Sequence, residues 1–202
     1  MNYIFKEIRK NNKGATLLEM LVAVALFSVT MLSATQIFSM VVEGQRNSIA
    51  AQNIQENMRY AFETMAKEIR MARGAHGGSS CDLSPVGTTA FKVFNTSESM
   101  EASNFGDELY FENKNGDCVR YYLEDDAGIS RLKVDRDINS AFITPDDLNL
   151  EKLLFYIEDD EANEFHEIQP SVTIMMEARA MRKEMHKQEM KIQTTISSRY
   201  YE

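Results

Sequence analysis

The chain has 202 residues, of which 44% are hydrophobic and 26% are charged, so most of it has the composition of a globular domain. Its formal net charge of −9 argues against a nucleic-acid partner, because phosphate contacts need clustered Lys and Arg. No P-loop, GxSxG, HExxH or CxxC motif is present, so the sequence predicts no enzyme, no cofactor and no metal site.

The N-terminal region divides into a short basic leader and a long apolar segment. Residues 1–14 carry four basic side chains and one acidic side chain, and residues 15–42 carry a single charge, that of Glu19. A helix of about 20 apolar residues crosses a bilayer core, so residues 15–42 can span a membrane. The basic leader favours a cytoplasmic N-terminus, with the C-terminal bulk of the chain outside.

Glu19 is unusual, because it is a carboxylate inside an apolar segment. Such a group costs at least about 2.5 kcal/mol in a membrane and needs a partner. Residues 15–42 contain no cation. Cleavage between Gly14 and Ala15 would create one, since the new α-amine of Ala15 is largely protonated at neutral pH. The two groups are four residues apart, so they can meet across one helical turn or between neighbouring chains.

The run KGATLLE at residues 13–19 resembles the cleavage and methylation motif of type IV prepilins and type II secretion pseudopilins. The resemblance implies that a membrane prepilin peptidase cuts after Gly14 and methylates the amine of Ala15. It also implies that Glu19 pairs with the N-terminal amine of an adjacent pilin or pseudopilin subunit during assembly. Most members of the family have Phe at the position of Ala15, so this chain departs from them there.

This resemblance predicts a structural subunit that is a single-pass inner-membrane protein and then enters an extracytoplasmic filament through an inner-membrane assembly platform. The length of the chain and the lack of Pro or Gly in residues 28–37 favour a minor pilin or pseudopilin over a major pilin. Two alternatives stay open: an uncleaved membrane-anchored binding or sensor domain, and an anchored enzyme. Cleavage of the leader would discriminate against both.

The helical pattern continues beyond the apolar segment. Residues 43–73 have an apolar stripe at spacings of three to five, which predicts an amphipathic helix with one face packed on a sheet. The helix is expected to be continuous from about Ala15 to Arg73, with Gly74 at its C-terminal cap. The stripe consists of Ile49, Ile54, Met58, Ala61, Phe62, Met65, Ile69 and Ala72.

Residues 74–202 are expected to form a β-rich extracytoplasmic head, which makes the predicted fold α+β and pilin-like. Apolar and polar residues alternate clearly in 171–180 and 189–198, which is typical of antiparallel strands with one buried face. The other predicted strands are 90–95, 107–113, 117–124, 129–134 and 151–158. The predicted domains are therefore a leader (1–14), a membrane and assembly helix (15–42), an amphipathic helix (43–73) and the head (74–202).

The head contains two cysteines and two acidic clusters. Cys81 and Cys118 are candidates for a disulfide, which would close a 38-residue loop in an exported domain. The acidic clusters lie at 124–126 and 158–161. Carboxylates are ligands for Ca²⁺, but neither cluster has the spacing of an EF-hand, so solvated turns are expected instead.

Overall fold

A computed structural model describes residues 14–73, 93–96, 105–137, 139–158, 168–180 and 188–199. These residues form one helix and nine strands. In chain order they are α1 (Leu17–Ile69), β1 (Phe94–Thr96), β2 (Phe105–Gly106), β3 (Leu109–Glu112), β4 (Cys118–Asp126), β5 (Ile129–Arg136), β6 (Asn139–Phe142), β7 (Leu148–Glu158), β8 (Ser171–Ala180) and β9 (Glu189–Ser197).

The strands form two antiparallel sheets. One has the order β1-β3-β4-β5-β6 and the other has the order β2-β7-β8-β9. Apolar residues of both sheets join those of the C-terminal half of α1 in one hydrophobic core. The predicted α+β class is confirmed, and a long helix packed on antiparallel sheet is consistent with the pilin fold.

The buried face of α1 follows the predicted stripe with one correction. Its buried residues recur at spacings of four, four, three, four and four, which keeps them on one face of the helix. Ile49 was expected on this face, but its side chain is 51% exposed, and Ala50 is buried in its place. Phe62 is only partly buried at the margin of the core. The buried positions of α1 are Ala50, Ile54, Met58, Ala61, Met65 and Ile69, and Ala72 is buried just beyond the end of the helix.

Both ends of α1 lie inside the predicted limits. The helix begins at Leu17 instead of Ala15, and it ends at Ile69 instead of Arg73. After Ile69 the N–H groups of Met71 and Ala72 donate to carbonyls three residues back, and not four. Arg73 then forms a β-bridge with Glu112, in which its N–H donates to the Glu112 carbonyl at 2.9 Å. The predicted cap at Gly74 lies outside the described residues.

Most predicted strands are present, with shifted ends. The range of β8 is as predicted, and its buried residues alternate along the strand as the sequence pattern indicates. The predicted strand at 90–95 corresponds to β1, although residues 90–92 lie outside the described residues. Strands β2 and β6 were not predicted, because β2 has two residues and all four residues of β6 are exposed.

The described chain separates into two compact units, one ending at Arg46 and one beginning at Asn47. The first unit is the N-terminal part of α1 with the three residues that precede it. The second unit holds the C-terminal part of α1, both sheets and the core.

Candidate assembly site at the start of the helix

The predicted cleavage site lies in a short non-helical segment. Residues 14–16 precede α1, have no regular secondary structure and are exposed. A Cβ added to Gly14 would have no neighbouring atom within 4 Å. The peptide bond between Gly14 and Ala15 therefore lies outside the helix, between two exposed residues.

Thr16 caps the helix that follows. Its hydroxyl accepts a hydrogen bond from the Glu19 N–H at 3.2 Å, and its carbonyl accepts one from the Met20 N–H at the same distance. A threonine followed three residues later by a glutamate is the sequence of a capping box, in which the threonine satisfies a free N–H of the first turn. The beginning of α1 is thus set by the TLLE residues of the motif itself.

Glu19 lies in the first turn of α1 and its side chain is exposed. The partial positive charge of a helix N-terminus favours an acidic residue in this position. The described residues provide no hydrogen-bond donor and no cation to its carboxylate, although its backbone N–H is used by the cap. The carboxylate is therefore available to a group outside the described chain.

The surface of α1 from Met20 to Val41 is mostly apolar and exposed. Among the described residues, one helix, α1, is long and apolar enough to cross a membrane. No residue of its most apolar segment is buried in the isolated chain. Large side chains point outward on all sides, with Leu17 84%, Phe27 59% and Phe38 69% exposed. Such a surface is stable in lipid or against other apolar helices, and not in water.

The hydroxyl side chains of this segment are satisfied within the helix itself. Each donates to a backbone carbonyl three or four residues earlier, so none of them needs water as an acceptor. This local bonding is what an apolar environment demands of polar groups. The donors are Ser28 (2.8 Å), Thr30 (2.8 Å), Ser33 (3.0 Å), Thr35 (2.8 Å) and Ser39 (3.0 Å).

Comparison with known families matches residues 9–35 to the prokaryotic N-terminal methylation motif. The chain carries this motif. The matched residues include three basic side chains before the apolar segment, the Gly14–Ala15 bond, Glu19 and most of the apolar segment that follows. Together with the long apolar helix, the methylation motif is consistent with a type IV pilin-like protein.

No curated protein and no solved structure matches the chain. The methylation motif nevertheless supports a type IV pilin or pseudopilin, and hence a structural subunit in place of an enzyme. It implies processing by a prepilin peptidase and association with other pilin subunits in a membrane system. The motif and the apolar helix together support a single-pass, membrane-anchored protein.

Cys118, the first residue of β4, is disulfide-bonded and largely buried. Its backbone N–H donates to the Asp137 carboxylate at 3.0 Å, which holds the start of the strand in place. Cys81 lies outside the described residues. Its pairing with Cys118 therefore stays a prediction.

The acidic cluster at 124–126 forms the end of a hairpin. Glu124 pairs with Lys133, Asp126 pairs with Arg131 at 2.7 Å, and Asp125 accepts the Gly128 N–H at 2.8 Å. The hydrogen bond from Lys133 lowers the pKa of Glu124. Each of the three carboxylates thus interacts with a cation or a backbone N–H of the same hairpin. Of the second cluster, only Glu158 lies within the described residues.

One polar cluster of the head was missed by sequence reasoning. Glu68 of α1 accepts hydrogen bonds from the buried Tyr121 hydroxyl at 2.7 Å and from the Arg136 guanidinium at 2.8 and 3.0 Å. Burial raises the pKa of Tyr121, and the carboxylate of Glu68 raises it further. Burial alone would lower the pKa of Arg136, but its contacts with Glu68 outweigh burial and raise it. This cluster ties the amphipathic part of α1 to β4 and β5.

Proposed function

We propose that this protein is a minor subunit of a type IV pilus or of a type II secretion pseudopilus. In this proposal a prepilin peptidase cuts the chain after Gly14, and the Ala15 amine becomes the methylated N-terminus. The assembly platform then transfers α1 from the inner membrane to the filament, and the head faces outward. The observation that carries the proposal is a free Glu19 carboxylate within an exposed apolar helix that also carries the methylation motif.

The role of Glu19 follows from electrostatics. An isolated carboxylate and an isolated ammonium each lose hydration when apolar helices pack around them, and an ion pair between them recovers part of that loss. Glu19 of an incoming subunit would pair with the Ala15 amine of its neighbour. Because both groups lie at the start of the segment, the pair would also set the axial register between adjacent helices.

The assignment to a minor subunit rests on the continuity of α1 through its apolar segment. Residues 28–37 contain neither Pro nor Gly, and α1 is unbroken from Leu17 to Ile69. In the family that the chain resembles, a Pro or Gly in this segment often marks a break in the helix of major pilins. A filament fraction in which this chain is scarce relative to another pilin would support the assignment, whereas a filament built mainly of this chain would contradict it.

A pair of substitutions at the two ends of the apolar segment tests the role of Glu19. Glu19→Ala should leave the amount of protein in the membrane unchanged but reduce incorporation into filaments by about tenfold or more, since the loss of about 1.4 kcal/mol per contact already gives that factor. Glu43→Ala is the matched control, because Glu43 is also an exposed acid of α1. Normal incorporation of the Glu19 variant would overturn the proposal.

A further inference from the structure

A groove runs along the head between the C-terminal part of α1 and strand β9. It has a volume of about 710 Å³ and is open to solvent. Phe62, Ala66 and Met71 form the helix side, while Thr194 and Ile196 form the strand side. Two of its lining residues are joined by a hydrogen bond from the Arg199 N–H to the Arg70 carbonyl, at 2.8 Å. Apolar atoms make up most of the surface that lines the groove.

The strand that borders the groove is the last of its sheet. Within the described residues, β9 pairs with β8 on one side, and the sheet order ends at β9. The pairing with β8 is regular over nine residues, without a bulge. The exposed edges of sheets are usually protected by charges, proline, bulges or a short strand. Residues 192–197, beside the groove, have sequence IQTTIS and carry no charge and no proline.

The rim of the groove is positively charged, although the whole chain has a net charge of −9. Lys67, Arg70 and Arg199 line it and are exposed. The contacts of the described residues include no ion pair for any of the three. The one acidic side chain of the lining, Glu63, is already paired with Arg59 at 2.7 Å. The groove therefore presents three cations to whatever occupies it.

We propose that this groove binds an extended acidic segment of a partner protein, added as a further strand beside β9. The backbone of the segment would pair with the N–H and C=O groups that alternate residues of 192–197 direct away from β8, as in other cases of strand addition. Side chains point alternately to the two faces of a strand, so the apolar side chains of the segment would cover Phe62 and Ala66. Its carboxylates would lie near Lys67, Arg70 and Arg199, where ion-paired hydrogen bonds are strong. The proposal does not depend on a role in a filament.

Photo-cross-linking of the full-length chain in its own cells tests this proposal. A photoreactive benzoylphenylalanine replaces Phe62 in the groove, and in a matched control it replaces Tyr60, an exposed aromatic of the same helix that does not line the groove. Cross-linked products are digested, and the attached peptide is sequenced by mass spectrometry. The variant at position 62 should yield one dominant peptide of a different protein, with apolar and acidic residues alternating. The control should not yield it.

Charge reversal gives a second arm. The double variant Lys67→Glu and Arg70→Glu should reduce the amount of cross-linked product at least fivefold. The matched control is the double variant Lys114→Glu and Lys152→Glu, which changes the net charge by the same amount at positions away from the groove. The control should not reduce the product. Thermal unfolding of each variant checks that the head is folded. Cross-links to lipid, to a second copy of this chain or to its residues 200–202 would overturn the proposal, as would a product that survives the charge reversal in folded protein. Absence of any product at position 62 would also overturn it.

Discussion

The contact of Glu68 with Tyr121 and Arg136 gives the most quantitative prediction for the head. Glu68→Ala removes three hydrogen bonds, one from the Tyr121 hydroxyl and two from Arg136. Tyr121 is wholly buried, so its hydroxyl is left without an acceptor. The side chain of Arg136 is 32% exposed, so water can replace part of what it loses.

The magnitude follows from these two environments. A buried hydroxyl that loses its acceptor costs about 1–3 kcal/mol. A partly exposed ion pair contributes about 0–1 kcal/mol after screening by solvent. Glu68→Ala should therefore lower the free energy of unfolding by about 1–4 kcal/mol in total. For a domain of this size, about 1 kcal/mol shifts the Tm by about 2–4 °C, so the expected decrease is about 2–16 °C.

The assay is thermal unfolding of the full chain in detergent, followed by the near-ultraviolet circular dichroism of its buried tyrosines. The matched control is Glu63→Ala on the same helix, whose ion pair with Arg59 is exposed and contributes about 0.3–0.5 kcal/mol. Tyr121→Phe combined with Glu68→Ala should recover part of the loss, because no hydroxyl is then left unsatisfied. Equal Tm values for Glu68→Ala and Glu63→Ala would refute this reasoning.

Three further predictions concern the two sheets and the disulfide. Gly106→Ala would place a Cβ 2.5 Å from the Cβ of Thr96, so we expect a loss of about 1–3 kcal/mol in urea unfolding, and an unchanged midpoint would contradict this close contact. Lys133→Gln should raise the pKa of Glu124, as measured by NMR titration of its carboxyl group. Because Lys133 lowers this pKa in the folded protein, the pair stabilises the folded state at neutral pH. This stabilisation is lost as the pH falls through the lowered pKa. Cys118→Ser should lower the free energy of unfolding by about 3–4 kcal/mol if the disulfide closes the predicted loop, and peptide mapping without reductant identifies its partner.

The local patterns of the sequence predicted the elements of the fold but not their arrangement. The stripe of α1 and the alternation of β8 follow from the helical and strand periods, which a single segment displays. Two sheets instead of one could not be predicted, because strand pairing joins residues far apart in the chain. Ile49 was expected on the buried face because it is large and apolar. In the structure Ala50, four residues before Ile54, lies on that face instead.

The same distinction applies to the candidate site. The motif from Gly14 to Glu19 is contiguous, so its residues could be identified directly, and the cap formed by Thr16 follows from the same few positions. The cluster around Glu68 could not be predicted, since Arg136 is 68 residues away in sequence and its charge pattern resembles that of any exposed strand. The groove beside β9 likewise exists only once the helix and the sheet edge are brought together.

The most direct test of the account is the N-terminal mass of the full chain expressed in a membrane with and without a prepilin peptidase. We predict loss of residues 1–14 only when the peptidase is present, with or without one added methyl group on the Ala15 amine. An intact Met1 in both samples would contradict the account. It would favour an uncleaved, membrane-anchored domain, in which Glu19 has a different partner.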